Sequence, residues 1–368
     1  MVRTVAVRRA AVRRAVFCRT AVLSALVPLV LAGCANPQGG GTGGAPSSGA
    51  GQQQIKGTES AGPGCTRQAY GVAPGELTKL KIGFSQSEKE ANPFRITETQ
   101  SLKDEAAKRG ITLETTNAQS QLPKQIADIQ SLLSQGVQAL VVAPLNSTGL
   151  EPALAAARAK GVPVIAIDRA LATAAVCKDY LTTIVSDFVD QGKRAGEAMA
   201  KATGGNANVA ILLGTSGNNV TTERTQGFKD YITSNSPGLK VVAEQTGEFQ
   251  REKGKTVTEQ LIQANPGINA IYAENDEMAL GAVVALKAAG KKPGQDVKIV
   301  TVDGTREAVQ GVANGEIAGV IESNPRFGPI VFDALQRFYT DNPVPQKIII
   351  SDHAYDSSNA QQGLQTAY

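Results

Sequence analysis

Short apolar runs alternate along most of the chain with longer stretches in which apolar residues recur at helical spacing. Runs of this kind are typical of strands that are buried on both faces of a parallel sheet. Ten of them occupy residues 80–84, 138–143, 162–167, 181–185, 208–213, 239–243, 268–273, 297–302, 317–321 and 347–350. Because ten strands suit two sheets better than one, the pattern predicts an α/β protein with two parallel sheets covered by helices.

The stretch over residues 276–289 illustrates the helices between the runs. Asp276 is expected to cap the first turn, and Gly290 is expected to end the helix. Between them lies a stripe of apolar residues at helical spacing: Met278, Ala279, Ala282, Val283 and Leu286.

Polar residues follow nearly every apolar run. They are Ser85, Gln86, Asn146, Asp168, Arg169, Ser186, Asp187, Thr215, Glu248, Glu274, Asn275, Asp276, Asp303, Ser323 and Asn324, and one aromatic residue, Phe249, stands among them. In parallel sheets ligands bind beyond the carboxyl ends of the strands. Carboxylates, amides and hydroxyls bind sugar hydroxyls, and a ring covers a C–H face. The pattern therefore predicts a ligand cleft between the two sheets.

The amino-terminal segment has the pattern of an export signal. Residues 1–33 contain six arginines and no acidic residue, and their apolar part, residues 21–33, is too short to span a bilayer. Small residues precede Cys34 as in a lipobox, which predicts a signal peptide over residues 1–33 and a lipid on Cys34; a non-lipidated signal with a chance cysteine is the alternative. Arg13 and Arg14 also fit twin-arginine export, so the export route stays open.

The segment after Cys34 is rich in glycine, serine and glutamine. Residues 35–64 cannot bury enough surface to fold and would span about 30 Å as a flexible chain. The composition predicts a lipid-anchored flexible linker over residues 34–78, which places the folded part outside the membrane. Membrane contact is expected through the lipid alone.

The charge and histidine content exclude several function classes. The whole chain has a formal charge of +4, but without the six arginines of the signal 31 basic residues face 33 acidic ones, which gives −2. A nucleic-acid partner is therefore not expected. A single histidine, His353, gives no basis for a multi-histidine metal site or a histidine triad, and no cofactor is predicted.

The cysteines predict one disulfide. Cys18 is removed with the signal and Cys34 takes the lipid, so Cys65 and Cys177 are the remaining pair in an oxidising compartment. We expect them to be bonded, and two free thiols are the alternative.

The residues from Leu80 to Tyr368 resemble one known family. The similar stretches, in order and spacing, are KIGFSQ, NPFR, VPVIAIDRA, IVSDFVDQGKRAGE, ILLGTSGNN, ERTQGF, EFQREKGK, IYAENDEMALGA and VTVDGT. They resemble periplasmic pentose- and hexose-binding proteins of the ribose-binding type, and TETQSLKDEAAKRGI and SNPRFGP are similar to the galactofuranose-binding branch. The resemblance implies a two-lobed, type I periplasmic binding protein that captures a monosaccharide and delivers it to an ABC permease.

The resemblance also implies a set of ligand-binding residues. These are Phe94, Arg95, Asp168 and Arg169 in the first lobe and Arg224, Phe249, Asn275 and Asp303 in the second. Six of them have a structural alternative: an ion pair for Asp168 with Arg169, a solvated helix residue for Arg224, core for Phe249, a turn for Asn275 and a helix cap for Asp303. Where the family often has two successive aromatics, this chain has Phe94 and Arg95. An arginine facing the cleft would need acceptors, which favours an oxygen-rich sugar such as a furanose hexose over ribose.

The resemblance implies three crossings between the lobes, near residues 186–187, 323–324 and 351–352. The expected domains are residues 79–186 plus 324–351 for the amino-terminal lobe and 187–323 plus 352–368 for the carboxyl-terminal lobe. A monomer without catalytic activity is expected.

Other functions fit the sequence less well. A sugar sensor that docks on a membrane receptor stays open. A regulator of the lac-repressor type would need a helix-turn-helix where the signal lies. An enzyme could use Asp168, Glu248 and Asp303, but no motif marks a nucleophile, and the turn at residues 214–217 matches no phosphate-loop motif.

Overall fold

A computed structural model gives the fold and describes residues 55–368 apart from positions 61 and 63. The predicted signal peptide and the lipidation site Cys34 lie outside the described residues. Among the described residues, no helix combines the length and the apolar character needed to cross a bilayer.

Thirteen strands are present in the described part of the chain. They are β1 (Ile55–Glu59), β2 (Lys81–Gln86), β3 (Thr112–Asn117), β4 (Ala139–Val142), β5 (Val164–Ile167), β6 (Thr182–Val185), β7 (Asn206–Leu213), β8 (Gly238–Thr246), β9 (Ala270–Ala273), β10 (Lys298–Asp303), β11 (Gly319–Glu322), β12 (Lys347–Ile350) and β13 (Ala354–Tyr355). All ten apolar runs became strands. The three additional strands are β1, β3 and β13, and each lies at the edge of a sheet.

Eleven α-helices accompany these strands in the same part of the chain. They are α1 (Arg67–Tyr70), α2 (Pro93–Arg109), α3 (Leu122–Ser134), α4 (Glu151–Ala159), α5 (Phe188–Thr203), α6 (Asn219–Asn235), α7 (Arg251–Ala264), α8 (Asp276–Ala288), α9 (Arg306–Ala313), α10 (Gly328–Tyr339) and α11 (Ala360–Gly363). A short 3-10 helix occupies Leu77–Lys79.

The strands form two sheets, which define two lobes. The first lobe contains the seven-stranded sheet with the order β1-β12-β6-β5-β4-β2-β3, and the second contains the six-stranded sheet with the order β13-β11-β10-β9-β7-β8. Among these thirteen described strands, only β1 and β13 are antiparallel to their neighbours. The chain changes sheet between β6 and β7, between β11 and β12, and between β12 and β13, so the two-lobed fold with three crossings is confirmed. The predicted residue boundaries of the lobes stay predictions.

The predicted flexible linker over residues 34–78 is too long. Within it, β1 pairs antiparallel with β12, and α1 follows. Strand β1 forms in this segment because it needs no buried side chains: four of its five residues are exposed, and its stability comes from backbone hydrogen bonds to β12. Lys56 adds an anchor, with its Nζ 3.1 Å from a carboxylate oxygen of both Asp187 and Asp190 at the start of α5.

A disulfide joins Cys65 to Cys177, and their Cα atoms are 5.0 Å apart. Cys65 is buried, and its backbone forms an isolated bridge with Val344. The segment that follows β1 is therefore fastened to the first lobe by a covalent bond and by backbone hydrogen bonds.

The start of α8 differs from the expectation that Asp276 caps this helix. The cap of α8 is Asn275, whose side chain accepts a hydrogen bond from the Met278 amide, while Gly290 takes a positive φ of 71° just beyond the helix as expected. The Asp276 carboxylate accepts instead from the amides of Gly304 and Thr305. Thr305 caps α9, so Asp303 is left free to face the space between the lobes.

Candidate ligand-binding site

A small cavity lies between the two lobes, beyond the carboxyl ends of β2, β5, β9 and β10. Its lining residues are Glu88, Asn92, Phe94, Arg95, Asp168, Arg169, Val220, Arg224, Phe249, Asn275 and Asp303. All eight residues that the sequence nominated for ligand binding are in this set. The structure brings them together, and their contact with a ligand stays a prediction.

Two arginines and three carboxylates form a buried network on the first-lobe wall. Arg95 donates from Nε to Glu88 at 3.1 Å and from Nη1 to Glu98 at 2.9 Å, and the same Nη1 lies 2.8 Å from Asp168 Oδ2. Arg169 donates from Nη2 to the other oxygen of Glu88 at 2.6 Å and from Nη1 to the Leu145 carbonyl at 2.9 Å. Arg95, Asp168 and Arg169 are 5% exposed or less. Charges this deeply buried are stable only because each one is paired.

The network shifts the pKa values of its acids in opposite directions. Burial raises the pKa of Glu88, but the charges of Arg169 and Arg95 outweigh it and bring the pKa down to about 2. Burial, helped by the charge of nearby Asp168, outweighs the charge of Arg95 and raises the pKa of Glu98 to about 7. Glu88 is therefore a fixed anion, whereas Glu98 changes its charge near neutral pH.

Arg224 and Asp303 form the charged part of the second-lobe wall. Arg224 donates from Nε to Gln191 at 2.9 Å and from Nη1 to the Glu274 carbonyl at 2.6 Å, which aims it across the ends of β9 and β10. Its Nη1 lies 3.8 Å from Asp303 Oδ1. Burial raises the pKa of Asp303 well above its usual value although Arg224 acts against it.

Phe249 supplies an aromatic surface to the second-lobe wall. Its ring packs on Gly214, where a Cβ would lie 1.9 Å from the ring's Cζ, so only glycine fits there. Asn275 fixes the backbone of Phe249 by donating to its carbonyl at 3.2 Å, in addition to capping α8. The turn at residues 214–217 therefore supports the Phe249 ring.

Three lining residues have backbones in a region that favours glycine. The φ angles are 65° at Asp168, 59° at Phe249 and 144° at Asp303. Each such residue costs on the order of 1–3 kcal/mol and persists only where its surroundings impose it. The cavity wall therefore includes three residues whose backbone conformation costs stability.

Glu88, Asn92 and Val220 line the cavity but were not predicted. Glu88 lies two residues beyond β2, so its position after a strand was a usable signal. Asn92 stands within the NPFR stretch and caps α2 by accepting from the Arg95 amide. Val220 carries no polar group, and its position in the first turn of α6 gave no sequence signal.

The expectation that Arg95 needs acceptors from the ligand stays a prediction, and it now concerns Nη2 alone. Glu88, Glu98 and Asp168 already supply acceptors or ion-pair partners to its Nε and Nη1. Arg95 lies in the cleft as the sequence predicted, whereas its partner Glu98, one helical turn later, contacts it only once α2 is formed.

Residues 82–336 match the sequence model of a family described as periplasmic binding protein domain. The chain belongs to this family. The galactofuranose-binding protein YtfQ of Escherichia coli (strain K12) is 38% identical over 279 residues, which cover 74% of this chain and 86% of that protein.

Two solved structures of similar proteins agree with the fold. An arabinose transporter component from Shewanella sp. ANA-3, bound to α- and β-L-arabinofuranose, is 36% identical with a TM-score of 0.74 over 77% of this chain and 94% of the other. A protein from Mycobacterium smegmatis in complex with β-D-fucofuranose is 38% identical with a TM-score of 0.74, again over 77% of this chain and 94% of the other. The family consists of binding proteins, and the expected fold and family are confirmed.

The raised pKa of Glu98 predicts a pH-dependent stability that Glu98→Gln removes. Glu98 binds its proton more tightly in the folded state, where its pKa is about 7, than in the unfolded state, where it is near 4.5. The resulting stability is fully present below pH 4.5 and is lost as the pH rises through about 7. Between pH 5 and pH 8 the wild type should therefore lose on the order of 2 kcal/mol of unfolding free energy relative to Glu98→Gln. Urea unfolding at both pH values measures this difference. Glu76→Gln, on the exposed surface, is the control, and equal pH slopes for wild type and Glu98→Gln would contradict the assignment.

Proposed function

We propose that the protein captures a neutral monosaccharide in its furanose form between the lobes and delivers it, without converting it, to an ABC importer. The observation that carries this proposal is the composition of the cavity wall. Three carboxyl groups (Glu88, Asp168, Asp303) and three guanidinium groups (Arg95, Arg169, Arg224) line the cavity in equal number, and two rings complete the wall. A balanced set of charged donors and acceptors suits a ligand rich in hydroxyls and without net charge.

The fixed network on the first lobe supports a role for Asp168 as a hydroxyl acceptor. Its contacts with Arg95 and Arg169 both engage Oδ2, at 2.8 and 3.6 Å, so Oδ1 is oriented by the same contacts without being used in them. Arg169 Nε is buried and has no hydrogen-bond acceptor within the described residues. A ligand hydroxyl can accept from that nitrogen and donate to the carboxylate, a pairing that a sugar diol satisfies.

The preference for a furanose rests on the relatives. Galactofuranose, arabinofuranose and fucofuranose are the sugars in the names of the three similar proteins. In this proposal, selectivity against ribose comes from the shape of the cavity and from Asp168, Arg169, Asp303 and the Nη2 group of Arg95, whose Nε and Nη1 are already paired.

A thermal-shift and calorimetry panel tests the function. D-galactose, D-fucose, L-arabinose, D-ribose and D-glucuronate are compared, with each affinity corrected for the furanose fraction measured by NMR. A sugar at 100 times its dissociation constant should add about 2.7 kcal/mol of stability. We expect galactofuranose or fucofuranose to bind at least about tenfold more tightly than ribofuranose, because a missing group in a fitted site costs this much or more. No shift with any neutral sugar, or tighter binding of glucuronate, would contradict the proposal.

Asp168→Asn is expected to weaken sugar binding at least about tenfold. Asparagine tolerates the positive φ at this position better than alanine does, so the variant removes the negative charge with little added strain. A ligand hydroxyl that donates to the Asp168 carboxylate would meet a neutral amide oxygen instead. The charge-assisted hydrogen bond lost in this way is worth about 1.5–3 kcal/mol. Calorimetry measures the affinity.

The chain contains a matched control for this variant. Asp341 has a φ of 61° and is ion-paired with Arg67 on the exposed surface. Asp341→Asn makes the same chemical change in the same backbone conformation, and it should leave sugar affinity unchanged. If Asp168→Asn also binds like the wild type, Asp168 does not contact the ligand.

We further propose that a lipid on Cys34 attaches the protein to the outer side of the cell membrane. Small residues precede Cys34 at the end of the apolar segment, as a lipobox requires. Cys34→Ser should therefore move the protein from the membrane fraction to the soluble fraction, as judged by fractionation and immunoblotting. Cys18→Ser, within the predicted signal, should leave it membrane-bound, and an unchanged distribution of Cys34→Ser would exclude the anchor.

A further inference from the structure

Outside the cavity, two loops of opposite lobes contact each other directly. One is the segment after β4 that contains Ser147, in the first lobe, and the other is the turn at Gly217–Asn219 that starts α6, in the second. The Ser147 amide donates to the Gly217 carbonyl at 3.1 Å, and the Asn219 amide donates to Ser147 Oγ at 3.0 Å. Neither Ser147 nor Asn219 lines the cavity.

Asn219 adds a contact with a second segment of the first lobe. Its Oδ1 accepts from the Ala170 amide at 3.0 Å, just beyond Asp168 and Arg169, and it lies 3.4 Å from Ser147 Oγ. A single side chain of the second lobe therefore contacts the segments that follow both β4 and β5. The Ala170 contact is two residues from the predicted ligand acceptor Asp168.

Both partners are held in place within their own lobes. Asn219 Nδ2 donates to Glu223 Oε1 at 3.0 Å, one turn along α6, which fixes the orientation of the amide so that Oδ1 points at Ala170. Ser147 is fixed from its own side, because its carbonyl accepts from the Ala172 amide at 2.8 Å. Contacts within each lobe therefore orient both residues for the hydrogen bonds between the lobes.

We infer that Asn219 is a positioning residue that sets sugar affinity by stabilising the closed arrangement of the lobes without touching the sugar. The inference rests on the sugar binding proposed above. A ligand enclosed by two lobes binds with an apparent affinity that scales with the population of the closed arrangement. Hydrogen bonds that exist only between the lobes stabilise that arrangement alone, so their loss weakens binding and mainly speeds dissociation.

The test uses Asn219→Ala, Ser147→Ala and the double variant in the full exported chain. Asn219 is the first residue of α6 and Asn218 is its cap, so alanine at 219 favours the helix and the fold should persist, as checked by circular dichroism. Loss of two hydrogen bonds should weaken binding about 5- to 50-fold, carried by faster dissociation in stopped-flow measurements with D-galactose and L-arabinose. Asn235→Ala, at the other end of α6, is the matched control and should bind like the wild type.

The double variant separates a contact between the lobes from a general structural effect. Because Asn219 and Ser147 share hydrogen bonds, the double variant should weaken binding by less than the product of the two single effects. Asn219→Ala binding within twofold of the wild type, or multiplicative effects in the double variant, would overturn the inference.

Failure of the proposed function gives a different result. If neither sugar binds the wild type, the function is wrong, and small-angle X-ray scattering of the ligand-free proteins then decides about Asn219. A larger radius of gyration for Asn219→Ala than for the wild type supports its role in closure, and identical scattering profiles reject it.

Discussion

The pairing of Arg95 and Arg169 with Glu88 and Asp168 is the constraint on which the rest of the site depends. A guanidinium group or a carboxylate that is removed from water costs several kcal/mol unless geometry and hydrogen bonds compensate it. In this chain each arginine contacts at least one carboxylate, and both share Glu88. Because its members share partners, the network acts as one unit and gives the cavity a wall that does not depend on a ligand for its shape.

The second-lobe wall also contains buried charged groups, but fewer of them. Arg224 is held mostly by neutral acceptors, Gln191 and the Glu274 carbonyl, and Asp303 lies 3.8 Å away from it. The first-lobe wall is consequently rigid and highly charged, whereas the second-lobe wall combines one cation with the Phe249 ring and the Asn275 amide. This asymmetry suits a small ring with hydroxyls on one side and C–H groups on the other.

The central strands and the members of the site could be predicted from sequence because both follow from burial. A strand covered on both faces must be an apolar run, and the polar residues that end such runs must meet at one edge of a parallel sheet. The strands β1, β3 and β13 were not predicted because an edge strand is partly exposed and needs no apolar run. The sequence TLETTN of β3 is an example. The ion-pair partners of Arg95 were not predicted because this pairing depends on how α2 packs against the sheet, which the local sequence does not show.

The exposed strand β1 affects whether copies of the molecule can pair through the edges of their sheets. β12 contains three successive isoleucines, and without β1 one side of its backbone would be an unpaired, apolar sheet edge of the kind that recruits strands from other chains. β1 covers that edge with the sequence IKGTE, which carries charged residues, a glycine and a register shift between Ile55 and Gly57. Charges and irregular register make β1 a poor template for a further strand. Protection against sheet growth between molecules is thus provided by a segment whose composition alone marks it as a linker.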